Sequence, residues 1–147
     1  MRLMADELKR FETAHARYFS TALAEIKSGR KRSHWMWYIF PQVAGLGFSE
    51  TSKMYAIKSI AEATAFLAHP VLGKNLEAIS SALLSPDTDN ASLVFGHPDD
   101  MKLQSCMTLF SRLPQATPVF QKVLDKYFGG KADVKTIEIL NNLQHYN

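Results

Sequence analysis

Leu8, Phe11, His15, Tyr18, Ala22 and Ile26 recur at three- and four-residue steps with polar residues between them, which predicts one long amphipathic helix over about residues 6 to 28. Gly29 is placed to cap its carboxyl end. Further along, Ser49 caps a short helix holding Met54, Tyr55 and Ile57. Ser59 and Glu62 have capping-box spacing, each able to satisfy an amide left open at a helix start, and predict a helix to about residue 68. His69-Pro70 interrupts that helix, and Pro70 begins the next, in which Val71, Leu72, Leu76 and Ile79 to Leu83 bury one face. Residues 85 to 92 read as an exposed loop. Leu103, Cys106, Met107 and Phe110 share one side of a helix with Asp99 or Asp100 at its amino end. Helices over about residues 117 to 128 and 133 to 143 finish the chain, separated by Gly129-Gly130, with Asp133 capping the last. The only β-like clusters, residues 37 to 40 and 92 to 95, have no hairpin partner. The pattern thus predicts an all-α array of six or seven helices.

Length and composition make that array a single domain over residues 1–147. With 147 residues, 46% of them apolar and 21% charged, the chain can bury one substantial core and is short for two. No apolar run approaches the roughly 18 residues of a membrane helix, and the start turns acidic at Asp6-Glu7 before a signal peptide's apolar region forms. Cys106 is the lone cysteine, which fits a reducing, cytoplasmic setting and a small core residue. His15, His34, His69, His97 and His145 are too scattered for a metal site, the serine-hydrolase elbow is missing, and no cofactor fingerprint is present.

The net charge of +3 matters through its placement, because Lys27, Arg30, Lys31 and Arg32 cluster just before both tryptophans. Arg30 and Lys31 can form charge-assisted bonds to phosphate or carboxylate, and Trp35, Trp37 and Tyr38 offer flat faces to a ring. The same residues also suit a solvated helix end followed by core aromatics. His34 is the candidate proton-transfer group of this segment. Gln42 can read an amide edge or tie down its loop, and Gly45 and Gly47 form a loop free to take positive φ. Lys53 and Tyr55 are candidates to line the same cleft. Asp99 and Lys102, three apart on a helix, either pair on its surface or point together at that cleft, with Ser105 one turn on and Asp99 as second proton-transfer candidate.

The string Arg30-Lys31-Arg32-Ser33-His34-Trp35-Met36-Trp37-Tyr38-Ile39-Phe40-Pro41-Gln42, with Gly45-Leu46-Gly47, Tyr55-Ala56-Ile57, His69-Pro70-Val71-Leu72-Gly73 and the stretch from Asp99 to Phe110, resembles an uncharacterised bacterial family of about this length, sometimes automatically labelled calpastatin. The resemblance spans nearly the whole chain and implies a single all-helical domain, with no activity attached. No repeated protease-inhibitor motif accompanies it, so the calpastatin label carries no weight.

Three functions follow in order of preference. The first is a small-molecule binding domain or enzyme for an anionic, nucleotide-like ligand of ADP-ribose type, with His34 or Asp99 moving a proton if a glycosidic or phosphoester bond is cut. The second is a protein-interaction module docking a partner on an exposed aromatic segment. Nucleic-acid binding comes last, because acids interrupt the basic residues nearly everywhere outside the cluster.

Overall fold

The computed structural model describes residues 4–146, and side chains for residues 6–143; the chain start and the His145 side chain fall outside the described residues. Among the described residues the chain forms nine helices: α1 (Met4–Lys27), α2 (Met36–Ile39), α3 (Glu50–Met54), α4 (Ile60–Ala68), α5 (Leu72–Ala82), α6 (Ala91–Phe95), α7 (Asp99–Ser111), α8 (Val119–Phe128) and α9 (Val134–Tyr146). The all-α class stands, while the count of six or seven is corrected to nine. The two additional helices, α2 and α6, occupy the two β-like clusters. Their bulky residues favour strands in isolation; in α6 capping wins, since the Asn90 carboxamide accepts from the Ser92 and Leu93 amides, whereas α2 forms without a side-chain cap.

The one strand-like pairing among the described residues is a parallel bridge between Val43 and Ile57. The Ala44 amide donates to the Ile57 carbonyl at 2.8 Å, and the Ile57 amide to the Gln42 carbonyl at 2.8 Å. This corrects the short helix predicted through Ile57: α3 stops at Met54, and the chain extends to meet the segment after Pro41.

Several predicted ends hold. Gly29 lies at φ +87° after α1, and Gly129 ends α8 in the left-handed region. The Asp133 carboxylate accepts from the Thr136 amide and hydroxyl and so caps α9. The box at Ser59 is only half formed: its hydroxyl accepts from the Glu62 amide, but Glu62 accepts in return from Lys58 and from Arg10 of α1. Pro98 occupies the cap position of α7, so Asp99 and Asp100 sit in its first turn instead. Val71 is the cap position of α5, and the His69 ring nitrogen accepts from the Val71 and Leu72 amides there.

α1 packs on α2, α4 and α5, and α7 packs on α6, α8 and α9, with α4 and α5 between the two groups. One continuous set of buried apolar side chains runs from Leu8 to Leu140. Phe66 at its centre meets Phe11 edge-on at 5.1 Å and Phe110 at 5.5 Å, joining α1, α4 and α7. Burying such a ring stabilises the fold by about 2–3 kcal/mol. Where α4 passes to α5 the backbones touch: a β-carbon on Gly73 would lie 1.9 Å from the Leu67 carbonyl oxygen. No described helix is long and apolar enough to cross a membrane.

Candidate functional site

The basic-aromatic string is organised by an acid that its pattern does not announce. Glu25, near the end of α1, accepts hydrogen bonds from the Arg32 amide at 2.7 Å, the Ser33 amide at 3.0 Å, the Ser33 hydroxyl at 2.5 Å and the Trp35 indole N–H at 2.9 Å. Burial works to raise its pKa, but these four bonds outweigh it and hold the carboxyl at about 2. Trp35 is consequently fixed inside the core with no exposure, against Phe40 and Phe95. The expectation that Trp35 stacks on a ligand ring is corrected, because neither of its faces reaches solvent.

Lys31 also turns inward. Its ammonium donates to the Ser33 carbonyl at 2.5 Å, pairs with Asp99 at 2.9 Å and lies 5.1 Å from the centre of the Trp35 ring. Asp99 pairs in addition with Lys102 at 3.1 Å, and the Lys102 ammonium lies 5.0 Å from the centre of the Trp37 ring. Asp99 is thus a bridge between two ammonium groups on the way from α7 to the motif, and it does not line the cavity described below. Lys31 and Lys102 share that one carboxylate, and neither lines the cavity around Trp37. Ser105 is buried, donating to the Met101 carbonyl and lying 3.3 Å from the Asp133 carboxylate, so it supports the start of α9 and lines no cleft. Arg30 and His34 are exposed and do not line the cavity described below.

Six of the candidates do meet. Trp37, Gln42, Gly45, Gly47, Lys53 and Tyr55 line one cavity of about 100 Å³, completed by Val43, Ala44, Ser52 and Ala56. The Val43–Ile57 bridge makes this possible by laying the Gln42 to Gly47 loop beside the end of α3. Gly45 adopts φ +106°, and a β-carbon on Gly47 would sit 2.4 Å from the Ser52 β-carbon, so both positions need glycine for the wall to close. Tyr55 stands edge-on to Tyr38 at 4.7 Å, and Tyr38 stacks on Tyr18 at 5.2 Å, anchoring the aromatic wall to α1. Among the described residues, the Trp37 indole N–H, the Gln42 amide and the Lys53 ammonium have no hydrogen-bond or ion-pair partner. Lys53 is the sole ionised residue in the lining.

Beneath the aromatic wall, His15 is 3% exposed, bonded through one ring nitrogen to the Tyr38 carbonyl at 2.9 Å and through the other to the Asn75 amide at 3.1 Å. Burial drives its pKa down to about 4, against the raising effect of the Tyr38 carbonyl, with nearby His69 lowering it further. The imidazole is therefore neutral, donating to Tyr38 and accepting from Asn75. His15 shows in the sequence only as one step of a helical period, and Glu25 as one acid among many, so neither gives a signal of its role. Burial likewise pushes the Cys106 thiol well above its ordinary range. No group of three or more His, Cys, Asp or Glu among the described residues is placed to hold a metal ion.

A family model described as "Protein of unknown function (DUF1810)" matches residues 5–140. The crystal structure of the conserved hypothetical protein Rv1873 from Mycobacterium tuberculosis is similar to this chain at 41% sequence identity and a TM-score of 0.89, over 92% of this chain and 96% of that one. A search among curated proteins finds no match.

Proposed function

The chain belongs to the DUF1810 family of proteins of unknown function, and from its site geometry we propose that it is a single-domain cytoplasmic protein that binds a small anionic ligand of nucleotide-like character. The planar part of the ligand lies against Trp37 and Tyr55, Gln42 reads its polar edge, and Lys53 meets its charge. The observation that carries this reading is the convergence of Trp37, Gln42 and Lys53, whose side-chain hydrogen-bonding atoms have no partner among the described residues, on one cavity. These polar atoms face solvent and are not spent inside the fold, so they are available to a ligand that enters the hollow.

The volume sets the scale. An apolar cavity of about 150 Å³ accommodates benzene, so about 100 Å³ admits one ring or head group while the rest of the ligand extends into solvent. Binding is better supported than catalysis, because His34 lies off the lining and Asp99 is engaged by two lysines. Docking of a protein on an exposed aromatic segment has less support, since Trp35 and Phe40 are buried and Trp37 and Tyr38 are half-buried.

Tryptophan fluorescence tests the reading directly, because Trp35 is shielded and Trp37 alone borders the cavity. AMP or ADP-ribose is expected to change the emission of the native protein and to leave Trp37→Phe unchanged. No change with AMP, ADP-ribose or single-ring anions up to millimolar concentration would overturn it.

A further inference from the structure

We propose that the ligand carries its negative charge directly on a single heteroaromatic ring, as a ring carboxylate does, and that Lys53 and not the Arg30–Lys31–Arg32 cluster receives that charge. The inference rests on the binding reading above and narrows its ligand class.

Lys53, though exposed like Arg30 and Arg32, lines the same small cavity as Trp37 and Tyr55, while the motif's own cations do not: Lys31 is tied to Asp99, and both arginines are absent from the lining. Ring face and cation therefore border a space of about 100 Å³. A charge borne on the ring meets Lys53 while the ring stays against Trp37. In a nucleotide the sugar stands between base and phosphate, and the volume does not hold both ends.

The lining chemistry agrees. Alongside the Lys53 ammonium, the Trp37 indole N–H and the Gln42 amide offer open donors, and no carboxylate lines the cavity to repel an anion or to pair with a cationic ligand. The amides of Gly45 and Gly47 also have no acceptor among the described residues. Val43, Ala44 and Ala56 supply the apolar remainder of the wall. Apolar faces with one cation and several neutral donors suit a flat acid whose oxygens accept hydrogen bonds from that cation and those donors.

Nicotinate, its uncharged counterpart nicotinamide, AMP and ADP-ribose separate the possibilities when titrated against Trp37 emission at constant ionic strength. Nicotinate is expected to bind at least about tenfold more tightly than the other three, as one charge-assisted bond implies. Lys53→Gln should erase its advantage over nicotinamide, and Arg30→Gln should leave it intact. Equal binding of nicotinate and nicotinamide, or loss of the preference in Arg30→Gln but not in Lys53→Gln, overturns the charge assignment. AMP or ADP-ribose binding as tightly as nicotinate overturns the ring-carboxylate class while the site itself stands. Silence from all four probes removes the site reading, and this inference with it.

Discussion

The two halves of the 30–42 string are built on opposite principles. In the first half, the inward-facing polar groups are all engaged: Lys31 with Ser33 and Asp99, Ser33 and Trp35 with Glu25. In the second half, Trp37 and Gln42 turn toward a hollow and leave their polar atoms open, as Lys53 does across from them. Two tryptophans two positions apart on a helical turn face nearly opposite directions, so one became core and the other wall. Residue type alone does not mark a site; what marks it is whether the fold has already used the residue's bonding capacity.

The sharpest way to break this contrast is to truncate each tryptophan. Trp35→Ala should cost about 3–5 kcal/mol of stability in urea unfolding, as for other buried large rings. Trp37→Ala should cost less than about 1.5 kcal/mol, the range of a partly exposed side chain, while abolishing the ligand response. Equal losses would show that both rings serve the core.

Glu25→Ala comes next. It leaves the buried Trp35 N–H and the Ser33 and Arg32 amides without their acceptor, with an expected loss of roughly 3 to 4 kcal/mol in the same measurement. A loss under about 1 kcal/mol would mean that water replaces the carboxylate freely and that the first half is not held as described.

Acid should then separate the framework from the cavity. Unfolded His15 titrates near 6.5 and folded His15 at about 4, so between these values the unfolded chain alone takes up the proton. Stability should fall as the pH drops from about 6.5 toward 4, by about 3 kcal/mol in total. His15→Gln should flatten this part of the profile. The Glu25 contribution has its own window, fully present above 4.5 and lost as the pH approaches 2. Smallest of all, Arg30→Gln should change neither stability nor ligand response beyond about 0.5 kcal/mol, as expected for an exposed, unpaired side chain.

The long helices were legible because each repeats its apolar step several times, as α1 does from Leu8 to Ile26. Short α2 and α6 escaped, since four or five residues hold barely one turn and their bulky side chains mimic a strand. Around the cavity, Trp37, Gln42, Gly45, Gly47, Lys53 and Tyr55 could be found together because they lie within one short stretch of chain. Glu25 and Asn75 could not: Glu25 acts through the way the chain folds back on the end of α1, and Asn75 through a contact with His15 of another helix, and no periodicity encodes either.

Gly73 gives the fold a position with no clearance, and its influence extends well past its own corner. A single methyl group there would pry α5 from the Leu67 carbonyl. Two residues on, that shift would reach Asn75, and through it His15, the Tyr38 carbonyl and the Tyr55 ring beside the hollow. The shape of the binding wall is therefore set partly from behind, by main chain that touches none of its residues.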